Sequence, residues 1–253
     1  MHKNYNETIQ IPLLNKIIEK SRRVQFHAEE HKYFLDTFEL TSVTTQIDKY
    51  KSEFQSNKIA MSLCKKHNEK YSLNGKYNQR KPEYYLEMWR AKRDLACSRG
   101  TMIHLYAESY PYFDEPKLKE HEYIRNFFDD LDEKYIFINS EIRIYSTALK
   151  LAGTLDLLLY NTETNKFIII DFKSNEDIHK KENGYFNEPF ADLKNTKLNS
   201  YLLQLNFYKY CFEEMFNANL IEDLWIIWLH HDNDNYHKIP TQIIDLTKYL
   251  NIK

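Results

Sequence analysis

The sequence predicts an α/β fold, and three observations carry the prediction. Apolar runs of strand length, LAGTLDLLLY and KFIIIDF, stand on either side of the short polar turn NTETN. Segments with apolar residues at helical spacing, such as HEYIRNFFDDL and YLLQLNFYKYCF, alternate with those runs. With 253 residues, 42% of them hydrophobic, the chain is long enough to bury a substantial core in one large domain.

Taken in order, residues 8–22 read as a short helix. VQFHAEEHKYFLD reads as a β-hairpin, because aromatic and β-branched residues flank a polar tip at Glu29 and Glu30. LTSVTTQIDKYKSEF opens a helix in which Ser42 or Thr44 offers a hydroxyl to the first free amides. Residues 58–97 are helical in two pieces, broken near Asn74-Gly75 and Lys81-Pro82. A helix resumes after Gly100, from 101 to about 110, and another covers 121–135, with Tyr123, Ile124, Phe127, Phe128 and Leu131 on one face.

Strands are expected at 141–147, 151–160 and 166–173, the last two as an antiparallel hairpin. Residues 174–199 form a long polar loop with Gly184 and Pro189, and loops of that length inside a domain are often functional. A helix over 201–216, a buried strand DLWIIWL and a closing helix TQIIDLTKYL complete the chain.

Composition excludes several function classes. The four glycines, Gly75, Gly100, Gly153 and Gly184, are too scattered to write either glycine-rich nucleotide-binding loop, so no nucleotide cofactor is expected. There is no apolar run of about 18 residues and no signal-peptide layout at MHKNYNETIQ, so an intracellular, cytoplasmic protein is expected, neither secreted nor membrane-associated. Cys64, Cys97 and Cys211 form no C-x-x-C pair, which argues against a cysteine-based zinc site or an iron–sulfur cluster. Any metal must then use oxygen and imidazole ligands.

The formal net charge of −2 hides a dipolar layout. Residues 58–93 carry a net charge of about +7 and residues 108–141 about −6. The basic segment interleaves its charges with Tyr71, Tyr77, Tyr84, Tyr85 and Trp89. Cations neutralise phosphates and aromatic faces stack on unpaired bases, so the mixture suits single-stranded nucleic acid. Lys65, Lys66, Arg80, Lys81, Trp89, Arg90, Arg93 and Arg99 are the candidate contacts. A solvated helix pair with its aromatics in a core would give the same pattern.

The chemistry concentrates in GTLDLLLYNTETNKFIIIDFK. Side chains alternate along a strand, so Asp171 and Lys173 share a side and Asp156 on the paired strand can face them. Two carboxylates around one point with an ammonium beside them suit Mg²⁺ or Mn²⁺, one ion or two, sharing a phosphate oxygen. Lys173 could orient or deprotonate water, or stabilise charge on the phosphorane. A strand-end ion pair is the alternative reading of D-x-K alone. His104 and Glu108, four apart on a helix, can converge on the same point. Glu141 could hold a second ion or a basic neighbour, and Gln204 and Tyr208, again four apart, could approach a phosphate from the far side.

The order His104, Glu141, GTLD ending at Asp156, DFK at 171–173 and QLNFY at 204–208 resembles the PD-(D/E)XK nuclease superfamily, specifically its RecB-like exonuclease branch. HKYFLDTFELTSVTTQI and RGTMIH are similar to the upstream hairpin, helix start and RGT-x-x-H of relatives of the mitochondrial genome maintenance exonuclease and phage counterparts. The resemblance implies a restriction-endonuclease-like core over residues 99–253, with a mixed central sheet flanked by helices. It leaves 1–98 as an N-terminal extension of hairpin and basic helical clamp.

It further implies that His104, Asp156 and Asp171 ligate the metal with the Phe172 carbonyl, that Lys173 is the catalytic lysine, and that Gln204 and Tyr208 support the site. Glu108 and Glu141 match acidic positions of looser role. The implied activity is hydrolysis of phosphodiesters in single-stranded DNA or at DNA ends, in replication, recombination or repair, alongside a helicase or replication partner. A structure-specific or defence endonuclease of the same fold, or a catalytically inactive DNA-binding subunit, remains open. The chain departs from the family in lacking the cysteines of the iron–sulfur branch, in carrying DFKS for the commoner D-W-K-T, and in its long 174–199 loop.

Overall fold

The computed structural model describes residues 13–30, 32–71, 80–179 and 184–250. In chain order these form α1 (Leu14–Arg22), β1 (Val24–His27), β2 (Lys32–Leu35), β3 (Phe38–Ser42), α2 (Val43–Lys49), α3 (Ser56–Tyr71) and α4 (Pro82–Glu108). There follow α5 (Lys119–Asp129), β4 (Tyr135–Ser146), β5 (Leu151–Asn161), β6 (Lys166–Lys173), α6 (Lys197–Phe216), β7 (Ile221–Trp228), β8 (His237–Pro240) and α7 (Leu246–Leu250).

The chain divides into two units, one of residues 1–51 with 103–253 and the other Ser52–Met102. The division therefore falls at 51/52 and 102/103 rather than at 98/99, and the N-terminal hairpin belongs with the larger unit.

The larger unit is α/β, built on a mixed sheet of eight strands among the described residues. Strand β4 runs antiparallel along the whole of β5, so β3 and β6 must share the opposite edge of β5. There β3 pairs in parallel with Leu151 and Ala152, while β6 pairs antiparallel only from Leu157 to Asn161. The intervening residues, Gly153 to Asp156, face an open fork between β3 and β6. On its far edge β6 continues into parallel β7 and then antiparallel β8.

Strands β5 and β6 are apolar almost throughout, which requires cover on both faces. On one face Leu158 and Ile169 pack in a cluster with Leu203, Phe207 and Phe212 of α6. On the other, Leu157, Ile168 and Ile170 pack with Ile103 and Tyr106 of α4 and with Tyr123, Ile124, Phe127 and Phe128 of α5. Each such side chain contributes roughly 1.5–3 kcal/mol on burial. Helix α2 starts as expected from its cap, the Ser42 hydroxyl accepting the Thr45 amide at 3.0 Å.

Several boundaries differ from the sequence reading. Helix α4 passes through Gly100 without a break, since the glycine costs only about 1 kcal/mol in a helix and the next two turns bury Ile103, Tyr106 and Ala107. Helix α5 stops at Asp129 and β4 begins at Tyr135, six residues before the expected strand; the Tyr135 ring packs edge-on against Trp225 at 5.2 Å. The closing helix shrinks to Leu246–Leu250, because Thr241 and Ile244 donate their amides to Leu224 O and Asn206 Oδ1 instead. The short strands β3 and β8 lie outside the expected ones: Phe38, Glu39, Leu40 and Thr41 alternate over too few residues to stand out, and β8 spans only four. Residues 8–12 of the first expected helix, and the break expected near Asn74-Gly75 within residues 58–97, lie outside the described residues.

The smaller unit contains α3 and most of α4. Ala60, Cys64 and Tyr85 form its buried centre, with Leu63, Leu86 and Trp89 packed against them. The Asn68 side chain clasps the Arg80 backbone, accepting its N–H at 3.1 Å and donating to its carbonyl at 3.3 Å. Among the described residues no helix is long and apolar enough to cross a membrane.

Candidate active site

The fork in the sheet is where the ionisable residues meet. One more rung of the β5–β6 ladder would put Asp156 directly against Asp171, and the pairing stops one residue short, at Leu157 and Ile170. Two carboxylates at that spacing repel, and the Asp156 side chain takes over the backbone's role: its Oδ2 accepts the Phe172 N–H at 2.7 Å. The other oxygen, Oδ1, lies 3.4 Å from His104 Nδ1. His104 reaches it from the last turn of α4, whose neighbouring residues Ile103, Tyr106 and Ala107 anchor that turn to the sheet.

Asp171 is almost wholly buried and is held from two sides. Its Oδ1 accepts Gln204 Nε2 at 3.1 Å, and Gln204 Nε2 also donates to the Tyr208 hydroxyl at 2.9 Å. Its Oδ2 has no hydrogen bond of good geometry and faces the Lys173 ammonium at 2.6 Å as its counter-charge. That ammonium also lies over the Tyr201 ring, 4.8 Å from its centroid. The Tyr201 hydroxyl in turn donates to Asn175 Oδ1 at 3.2 Å.

Glu141 sits mid-strand in β4, opposite Asp156, between the rungs Ser140–Leu157 and Ile142–Leu155. Its φ of 51° is left-handed, a conformation a glutamate adopts only under constraint. One donor atom each from His104, Glu141 and Asp156 lies within 4.8 Å of the other two. Glu108, one turn beyond His104 on α4, adds a further carboxylate.

Electrostatics follow from this crowding. Burial, then the charges of Asp156 and Glu108, push Glu141 up to about 7 although the residue as a whole is exposed. Burial also pushes Asp171 up to about 6 despite Lys173, and raises Glu108. Burial penalises the Asp156 carboxylate as well, but His104, Lys173 and the Phe172 amide together hold it below its ordinary range. Asp156 raises His104 to about 9. Burial opposes the charge on Lys173, yet Asp171 and Asp156 keep the lysine above its usual value and protonated.

An excess of carboxylates that resist ionisation together, around oxygen and imidazole donors, fits a divalent cation of the Mg²⁺ or Mn²⁺ type. His104, Glu141 and Asp156 present the closest donors, with Asp171 beside them but turned toward Lys173 and Gln204.

The sequence-derived residues are therefore drawn together at one point in the larger unit: His104, Glu108, Glu141, Asp156, Asp171, Lys173 and Gln204, with Tyr208 behind Gln204. Gln204 and Tyr208 hold a carboxylate rather than facing outward. Sequence reasoning missed two contributors, Tyr201 and Tyr33, and the packing role of Gly153 within GTLD. Tyr201 precedes Gln204 and Tyr208 by three and seven residues, a helical-face spacing that could have revealed it. Tyr33 of β2 shares a hydrogen bond of 3.0 Å with Thr154, a contact between distant segments that no spacing signals. Gly153 lies under the Tyr208 ring so closely that a Cβ there would come within 2.5 Å of Tyr208 Cε1.

The candidate nucleic-acid contacts all lie in the smaller unit, where Lys65, Lys66, Lys81, Arg90 and Arg93 are exposed. Arg93 is paired with Asp94 at 2.8 Å and Lys65 with Glu69 at 3.9 Å. The Arg80 guanidinium covers the Tyr84 ring at 4.6 Å. Trp89 packs against the small core and Arg99 is half-buried. Tyr77 lies outside the described residues.

No protein-family model matches the chain, and no curated protein matches it. Among solved structures it is similar to the crystal structure of SSO0001, at 12% identity over 83% of this chain and 79% of that chain, with a TM-score of 0.33.

Proposed function

We propose that this chain is a Mg²⁺- or Mn²⁺-dependent deoxyribonuclease of the PD-(D/E)XK superfamily, acting on single-stranded DNA or DNA ends. The observation that carries the reading is the forked pair of strands. It brings Asp156, Asp171 and Lys173 together, with His104 reaching the same point from a helix.

His104, Asp156 and Asp171, with Glu141 adjacent, are the residues that would hold the cation. When bound, the ion would supply Lewis acidity to a phosphate oxygen. Lys173, kept protonated by Asp171, suits stabilisation of the charge that builds on the phosphorane better than removal of a proton from water. Gln204 fixes the direction of Asp171, and Tyr208 fixes Gln204. The basic smaller unit supplies the cations and aromatic rings that a DNA strand requires.

The test is degradation of end-labelled linear single-stranded DNA in Mn²⁺, with Lys173→Ala and Asp171→Asn as controls. Stepwise products from one end, lost in both variants, are expected. A circular single-stranded substrate left intact would mark an exonuclease, and its cleavage an endonuclease. DNA binding without any cleavage by the intact chain would overturn the enzymatic reading in favour of a binding subunit.

A further inference from the structure

A second group of metal-type donors lies in the loop between β7 and β8, outside the residues assigned to hydrolysis. His230, His231 and Asp232 each present one donor atom within 4.8 Å of the other two. His230 Nδ1 is 3.7 Å from one Asp232 carboxylate oxygen, and His231 Nε2 is 3.6 Å from the other. Donors that sit about 2.0–2.1 Å from a tetrahedral ion stand about 3.4 Å from each other, so only small adjustments separate this spacing from a coordination sphere.

The group is held in place rather than merely sequential. His230 is buried, its side chain 8% exposed, and the Asp232 N–H points to its Nδ1 at 3.3 Å. That contact keeps Nδ1 unprotonated in the metal-free chain, with the ring proton on Nε2, and because Nδ1 has one lone pair an ion bound there would take the place of the Asp232 N–H. Burial, helped by the neighbouring His231, holds the His230 imidazole below its ordinary value.

The loop backbone is tied to α5. Lys119 Nζ donates to the carbonyls of His231 and Asn233 at 3.0 and 2.8 Å, and Asn126 donates to Asn235 at 3.1 Å. The Tyr236 hydroxyl donates to Asp130 at 2.9 Å. Glu120, a fully buried carboxylate at the start of α5, acts on His230 through its charge, as does Glu176.

We infer that His230, His231 and Asp232 form a binding site for a borderline divalent cation of the Zn²⁺ or Co²⁺ type, distinct from the oxygen-rich centre at the fork. Two imidazoles and one carboxylate favour such ions over Mg²⁺, which prefers an all-oxygen shell and retains its water. The ion would clasp the β7–β8 loop. His179 and His237 pack against Trp228, with ring centroids at 6.0 and 5.6 Å, and are not part of the donor set.

The experiment titrates Zn²⁺ into the tag-free 253-residue chain by calorimetry, in parallel on the intact chain in excess Mg²⁺ and on the Asp156→Asn/Asp171→Asn variant. In both, a Zn²⁺ site is expected that is weakened more than about tenfold by His231→Ala and by Asp232→Ala. Both positions are exposed, so folding is preserved, and circular dichroism checks it. Absence of a Zn²⁺ isotherm, affinity unchanged in His231→Ala, or an equal loss in His237→Ala would overturn the proposal. Because the double variant lacks Asp156 and Asp171, on which the proposed cleavage depends, the outcome does not depend on whether the chain cleaves DNA.

Discussion

Replacing Gly153 with alanine tests the packing behind the candidate site. The added Cβ would lie 2.5 Å from Tyr208 Cε1, and 3.2 and 3.3 Å from Cδ1 and Cζ, where ordinary contact begins at 3.4 Å. The ring must therefore retreat by about 1 Å, although Tyr208 is buried in the α6 face of the core. Overpacking of this kind costs about 1–3 kcal/mol. The displaced hydroxyl also loses its 2.9 Å bond to Gln204, worth about 1 kcal/mol, so a total loss of about 2–4 kcal/mol is expected.

The assay is urea unfolding followed by circular dichroism in EDTA, as a double-mutant cycle with Tyr208→Leu. If the clash is with the ring, Gly153→Ala costs under about 1 kcal/mol in the leucine background, giving a coupling energy of about 1–3 kcal/mol. Equal costs in both backgrounds, or a cost below about 0.5 kcal/mol in the first, would refute the argument.

Three further outcomes are expected. His104, at about 9 against an ordinary 6.5, holds its proton longer when folded, so its contribution is complete below pH 6.5 and lost as the pH rises to about 9. Asp171 and Glu141, raised to about 6 and about 7, also bind protons preferentially in the folded state; stability in EDTA therefore falls as pH rises from 4 to 9, and melting curves should lose the upper part of that slope in His104→Gln. Glu141→Gly relieves the left-handed φ of 51°, so calorimetry should show a metal-free protein more stable by about 1 kcal/mol that binds Mn²⁺ more weakly. Glu214 of α6 accepts the Ser146 hydroxyl, the Thr147 amide at 2.8 Å and hydroxyl at 2.9 Å, and the Ala148 amide at 3.2 Å; Glu214→Ala should cost about 2–3 kcal/mol in urea unfolding, without altering Mn²⁺ affinity.

The α/β class, the β5–β6 hairpin, the amphipathic face of α5 and the chemical set His104, Asp156, Asp171 and Lys173 are legible in the order of residues alone. These are local properties: strand alternation, helical spacing and the cost of a charge in an apolar run are all written in neighbouring residues. Long-range packing sets the rest. Glu141 adopts its left-handed turn because β4 must stay in register with β5 on both sides of it. The fork exists because β3, some 110 residues before β5, takes one end of its edge and β6 the other.

Gly153 is required by a ring on α6, and Tyr33 finds Thr154 only once the N-terminal hairpin has joined the larger unit. Gly100 reads as a helix break until the burial of the following turns outweighs its backbone freedom. In each case the deciding contact joins segments far apart in the chain, and its energy enters only when packing brings them together.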